Sequence, residues 1–407
     1  MNSRQSVDET ASRASLALDN LRAFVILLVL SFHSSLAYLA FLPSAPFAFD
    51  QPPYMWRSFP IVDPERSFGL EIYCAWQDVF LMSLFLLVSG LFVWPSLNRK
   101  GAGLFLRDRF LRIGLPFAVV VLFLMPVANY PTYLQGAAAP SVAAYWRHWL
   151  ALPFWPAGPM WFLWPLLVAG IAAAALYRFA PQAGRAWAWI AASRPARLAA
   201  GFLVLSLLAY VPLALAFTPW PWAQFGPFSF QESRPLHYAL YFFAGVGLGA
   251  GGIGRPFFAP DGVLARRWPL WLGFAAASFL LWMGLTWLTM TGSPPLILRA
   301  LAYAGFPLAC FGSCFAVLAV FLRFGRSNSR LVQSLRLNAY GIYLVHYPFV
   351  VWLQYALLPF AWPGIVKAAT VFTGTLLASW ATTAAIRLLP PAAAILGTRR
   401  QALPRAS

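Results

Sequence analysis

Charged side chains make up only 10% of this 407-residue chain, against about 25% in an ordinary soluble domain. With 61% of its residues hydrophobic, a water-soluble fold would leave a large apolar surface bare. The composition therefore excludes a soluble enzyme and points to a polytopic membrane protein. Acidic residues number 11 and lysine occurs twice, so the net charge of +18 is almost entirely arginine. Such an excess suggests nucleic acid only where basic residues gather on a soluble face. Here they are scattered between hydrophobic runs, and membrane topology is the reading they support. Cysteine is equally sparse: Cys74, Cys310 and Cys314 are too few and too dispersed for a disulfide framework or a zinc site. Cys310 and Cys314 stand one helical turn apart in an apolar run and read as packing residues.

What is abundant is long apolar runs. A hydrocarbon core about 30 Å thick takes about 20 helical residues to cross. Ten segments meet that measure, at about 21–41, 74–95, 113–134, 159–179, 197–217, 237–253, 268–290, 296–322, 337–357 and 365–389. The sixth is the shortest. Two connectors are long, 42–73 and 135–158. Allotting basic residues to alternate sides puts 23 on the side of the N-terminus and six on the other: Arg57, Arg66, Arg147, Arg234, Arg299 and Lys367. By the positive-inside rule both termini are cytoplasmic. The expected architecture is all-α, a membrane bundle of about ten transmembrane helices. Residues 1–20 form a cytoplasmic segment, 21–390 the membrane domain and 391–407 a cytoplasmic tail. The first span is too long for a cleaved signal peptide and closes without an A-x-A site, so it reads as a retained signal anchor.

An ionisable group inside a span costs a few kcal/mol on insertion scales and needs a reason. His33 lies about 18 Å into the first span, near the midplane, among Ser31, Ser34 and Ser35. Arg22 precedes it by eleven residues and falls on the same helical face. Asp19 lies near that face one turn below. Desolvation favours a neutral imidazole, the state a general base needs; a satisfied interhelical hydrogen bond is the bland alternative. Asp78 could orient His33, line an acceptor cavity, or reach the interface. Arg107, Arg109 and Arg112 cluster where the second cytoplasmic loop enters the third span. Guanidinium forks bind phosphate bidentately, although any cytoplasmic loop collects arginine. Tyr340, Tyr343 and His346 share a broad face of the ninth span, where aromatics are more often packing. His148 and His237 lie near interfaces, and Glu232 with Arg234 reads as solvated loop. Gly247, Gly249 and Gly252 fit G-x-G-x-x-G, but no strand precedes them, so close helix packing is expected.

These segments together resemble the acyltransferase 3 family of integral membrane acyltransferases. The opening span, LDNLRAFVILLVLSFHS over 18–34, carries a basic residue, ten positions and then histidine, as Arg22 and His33. FLLVSG over 85–90 follows. FLRDRFLRIGLP over 105–116 is similar to the family's R-x-x-R segment before a proline, and PMWFL over 159–163 and LNAYGIYLVHYP over 337–348 resemble later landmarks. The resemblance implies a multi-pass enzyme of the cell inner membrane. It would move an acyl group of acetyl or succinyl type from cytoplasmic acyl-CoA to a hydroxyl of an extracytoplasmic carbohydrate. Acyl-CoA would be a co-substrate, with no tightly bound cofactor, no metal and no nucleic acid partner. His33 would be the base or briefly carry the acyl group, Arg22 would guide the pantetheine arm, and Arg109 and Arg112, with Arg107 beside them, would hold the CoA phosphates. Asp78, Tyr340, Tyr343 and His346 are candidates on the substrate side. The rival reading, a secondary transporter or flippase, calls for inverted repeats with paired broken helices, and none is visible.

Overall fold

Without water to hydrogen-bond, a chain in hydrocarbon satisfies its backbone internally, and the apolar runs are helical. The computed structural model describes residues 3–190, 195–252, 257–290 and 292–396. Arg194, Arg255, Arg399, Arg400 and Arg405 of the basic count, and most of the tail, lie outside those residues. The chain is 75% helical, and ten long helices stand where ten spans are expected. They are α1 (Ser3–Ser35), α2 (Leu70–Gly90), α3 (Val93–Gly136, kinked at the non-helical Gly101), α4 (Leu163–Phe179), α5 (Pro195–Phe217), α6 (Pro235–Ala250), α7 (Trp268–Thr289), α8 (Leu296–Phe324), α9 (Arg330–Ala356) and α10 (Gly364–Ile386). Eight of these are long and apolar enough to cross a membrane. The other two are α6, of 16 residues, and α9, whose first turns carry Arg330, Gln333 and Arg336.

Polarity is inverted as lipid demands. Leu270, Leu280, Leu208 and Phe123 are exposed, while Ser206, Thr375, Ser379 and Lys367 are fully buried. The chain divides into two compact units.

The first unit comprises 1–25, 72–107 and 161–328. Helices α7 and α8 pack along their length, and α8 also packs on α5. Cys310 and Cys314 lie in the α8 core, the Cys314 thiol 3.7 Å from the Phe80 carbonyl, so the packing reading holds. The expected close helix approach holds at Gly249 but not at Gly252, where a Cβ would meet nothing within 4 Å, and it extends to Gly245. A Cβ on Gly245 would stand 2.1 Å from the Leu87 carbonyl oxygen of α2, and one on Gly249 2.0 Å from that of Leu91. Gly249→Ala is therefore expected to destabilise the detergent-solubilised protein by about 1–3 kcal/mol, read as a lower unfolding midpoint; an unchanged midpoint would show that the helices separate freely there. A hairpin, β1 (Trp222–Phe225) and β2 (Phe228–Gln231), pairs antiparallel with Trp222 opposite Gln231 across a turn at Gly226, φ +54°. It sits where only a loop is expected.

The second unit comprises 26–71, 108–160 and 329–407. Helix α9 packs on α10 and on the end of α3. Ser329 caps α9, its hydroxyl accepting from the Val332 N–H. The long connector after α1 is an ordered lid of backbone and side-chain bonds. Gln135 holds both the N–H and the carbonyl of Val62, at 3.0 and 2.7 Å, Trp56 donates to the Phe49 carbonyl, and Arg66 donates to the carbonyls of Leu42 and Pro43. Beneath them Lys367 of α10 meets both carboxylate oxygens of Asp63 at 2.8 Å, with both residues fully buried.

Candidate active site

Helix α1 runs unbroken from Ser3 to Ser35, so the eleven-residue offset between Arg22 and His33 is three helical turns, about 16 Å. In the first unit Asp19 lies 3.3 Å from Arg22, whose guanidinium also sits 4.0 Å from the Phe92 ring centre. Asn20 beside them donates to the carbonyls of Gly325 and Ser327, both at 2.8 Å, at the end of α8.

His33 belongs to the second unit and is half-buried. Its ring lies 5.5 Å from that of His346 and 5.6 Å from that of Tyr347, both on α9. Gln354, two turns further along α9, donates to the His33 carbonyl at 2.9 Å. That bond fixes the end of α1 where the serines around His33 loosen it: Ser31 and Ser35 turn their hydroxyls back onto the carbonyls of Leu28 and Ser31.

The tautomer of His346 follows from its partner. Its Nδ1 lies 2.7 Å from the Tyr343 carbonyl, and a carbonyl only accepts, so Nδ1 carries the proton and Nε2 of the neutral ring presents a lone pair. That Nε2 is buried and has no hydrogen-bond partner among the described residues, and the same holds for His33 Nδ1 and Gln354 Oε1. Buried polar atoms without partners are rare enough to need a reason. Here three of them gather where the end of α1 meets α9 in the second unit. The apolar helical stretch runs over Ala14–Tyr38, so His33 lies near its end and not at the expected midplane. The backbone nearby is equally shaped for close approach. Gly158 has φ +50°, and a Cβ there would meet Met125 Sδ at 2.9 Å and the Tyr347 ring at 3.1 Å.

The same helix reaches the basic segment. Tyr340 donates its hydroxyl to the Arg112 carbonyl and lies in the field of Arg109 and Arg112. Tyr343 donates to the Pro159 carbonyl at 2.6 Å. Six residues, about 9 Å of rise, separate Tyr340 from His346. Around Arg112 the helix opens into a π-helical stretch, Phe110–Gly114, a local widening frequent at functional sites. Arg112 is exposed and Arg109 half-exposed. Arg107, in the first unit, is exposed on α3.

Asp78 and Arg234 depart from expectation. Rather than solvated loop, Arg234 is 4% exposed and grips the Asp78 carboxylate with two nitrogens, at 2.9 and 2.5 Å, with the Tyr238 hydroxyl 3.2 Å away and the Phe306 ring beneath it. A guanidinium matches a carboxylate fork to fork, so this pair, inside the first unit, accounts for both residues. Glu232 remains half-exposed. His237, which reads as an interface residue, is fully buried against Ser206 at 3.1 Å. His148 is a half-exposed partner of Asp50, 3.5 Å away. Sequence reasoning also missed Gln354, Tyr347 and the Asp63–Lys367 pair. Lysine in an apolar run was a usable signal for the last; Gln354 and Tyr347 offered none.

A family model described as an acyltransferase domain, that of the acyltransferase 3 family, matches residues 15–384. No curated protein and no solved structure matches the chain.

Proposed function

The chain belongs to the acyltransferase 3 family, whose domain covers nearly all of it, and from that premise of a multi-pass membrane acyltransferase we propose that it carries an acyl group from cytoplasmic acyl-CoA to a hydroxyl on an extracytoplasmic carbohydrate. The observation that carries this reading is the path along α9, from Tyr340 at the basic segment to His346 beside His33. Arg109 and Arg112 take the CoA phosphates, and the thioester lies at His33. Asp78, held by Arg234 in the first unit, is given no step in this reading.

In the transfer, the imidazole of His33 accepts the proton of the sugar hydroxyl as its oxygen attacks the thioester carbonyl. The tetrahedral intermediate collapses, the carbon–sulfur bond breaks, and the leaving thiolate takes that proton, giving an ester and CoA thiol. Where His33 itself attacks first, the carbon–sulfur bond breaks as the acyl-imidazole forms and CoA leaves as thiolate; the sugar oxygen then displaces the imidazole, and its proton passes to the thiolate. His346, with Nδ1 pinned to Tyr343 and Nε2 open, is suited to position His33 through either course. The positive-inside count supports cytoplasmic termini, which place the basic segment on the side where acyl-CoA is made.

Donor recognition is tested in membrane vesicles of known orientation with radiolabelled acyl-CoA. Label is expected to reach carbohydrate only when the donor is offered to the cytoplasmic face. Arg109→Ala and Arg112→Ala are each expected to raise the KM for acyl-CoA about tenfold or more, from the loss of one charge-assisted contact. Equal incorporation from either face, or an unchanged donor KM in both variants, would overturn the assignment.

A further inference from the structure

The acyl-transfer reading leaves one feature of the first unit unused, a cavity of about 570 Å³. Its walls come from the first turns of α5, the last turns of α6 and the start of α7, with Trp187, Phe202, Leu240, Phe243 and Trp271 among the lining residues. Helices α5 and α6 are packed neighbours that follow one another in the chain, so these turns share one end of the unit. The volume suits a drug-sized ligand or a length of alkyl chain. The apolar walls disfavour a water-soluble metabolite, and Leu205 in the lining is exposed on the apolar helix α5, so the cavity is open at the surface of that span.

Two residues break the apolar pattern. Arg197 and Arg267 line the cavity at the starts of α5 and α7. Both are exposed, and neither pairs with a carboxylate among the described residues. The nearest acidic side chain along the chain from Arg267, Asp261, is engaged by Arg323 at 2.8 Å. Guanidinium groups fit phosphate oxygens in bidentate fashion, and Trp187 and Trp271 are of the type that settles at headgroup depth. We propose that this cavity binds an anionic phospholipid, with an acyl chain along the aromatic walls and the phosphate held between Arg197 and Arg267. Charge complementarity selects the occupant: an uncharged lipid would fill the walls and leave two arginines unmatched, and inorganic phosphate would match them and leave the walls empty. This inference is independent of the residues assigned to acyl transfer.

The test uses the full-length protein, stripped of lipid in neutral detergent. Phosphatidylglycerol is expected to raise the unfolding midpoint by about 3 °C more than phosphatidylcholine at equal concentration, as saturating binding to the folded state requires, with inorganic phosphate giving no shift. The double variant Arg197→Gln, Arg267→Gln is expected to lose that difference and keep the phosphatidylcholine baseline. Gly201→Phe provides a second route, because Gly201 lines the cavity and a Cβ there meets nothing within 4 Å, so a larger side chain is tolerated at its base and is expected to compete with the chain for the space. Co-purified phosphatidylglycerol counted by native mass spectrometry is expected to fall in both variants. Equal shifts from the two lipids, a shift from inorganic phosphate equal to that from phosphatidylglycerol, or undiminished co-purification in both variants would each overturn the site.

Discussion

An alanine at position 33 is expected to slow acyl transfer by about two to four orders of magnitude, the range over which a positioned general base acts. The expectation rests on what surrounds the side chain. His33 sits at the end of α1 with the ring of His346 5.5 Å away, its backbone held by Gln354, and its Nδ1 without a partner among the described residues. A histidine that served only to join two helices would spend that nitrogen on a neighbour. The measurement compares a deletion strain complemented with wild type or with His33→Ala at equal membrane abundance, reading ester-linked acyl groups on surface glycans by mass spectrometry. Unchanged acylation would remove His33 from the chemistry. In purified protein the same site divides kinetically. His33→Ala and His346→Ala are expected to lower kcat at constant donor KM, since neither ring is assigned to the phosphates, whereas Arg112→Ala raises donor KM. A donor KM that rises with loss of His346 would instead place that ring in donor binding.

The contrast between the legible and the hidden parts follows from range in sequence. Spans are local: an apolar run long enough to cross lipid has helix as its open solution, and each of the ten expected spans contains a helix. The third reaches further than hydropathy alone indicates, because α3 continues back through the polar stretch around Arg107 as far as a non-helical kink at Gly101, φ +75°, beyond which a separate helical stretch reaches Val93. The hairpin at Trp222 is short, and its alternation is hidden among aromatics. His33, Tyr340, Tyr343 and His346 stand out singly as residues foreign to lipid, but that His33 and His346 meet is a fact of tertiary packing. Gln354 reaches the His33 carbonyl across 321 residues, and no pattern within one segment reports it. Arg234 is the instructive error. Between Glu232 and Pro235 it looks like any loop arginine, and only Asp78, 156 residues away, makes it a buried ion pair.

The largest stability effect is expected at Lys367. Its ammonium and the Asp63 carboxylate are fully buried and 2.8 Å apart, tying the connector after α1 to α10. Burial pushes the Asp63 carboxyl up from its ordinary value, while Lys367 and the Glu65 N–H pull it down. Desolvation wins, so the pair is not a strong net stabiliser, but removing one partner strands a charge. Lys367→Met is therefore expected to cost about 3–5 kcal/mol, seen as a fall in the unfolding midpoint of the detergent-solubilised protein. The sign of its pH dependence follows from the raised carboxyl. A group that holds its proton more tightly when folded favours the folded state at low pH and disfavours it as pH rises through its folded value. Without the ammonium that preference strengthens, so the Lys367→Met deficit is expected to shrink on acidification, as Asp63 takes up a proton. The double variant Asp63→Leu, Lys367→Met leaves no charge behind and is expected to recover most of the loss at neutral pH, because apolar side chains of similar volume replace buried ion pairs at little cost. A double variant no more stable than Lys367→Met would mean that the connector is held by the shape of the pair and not by its charges.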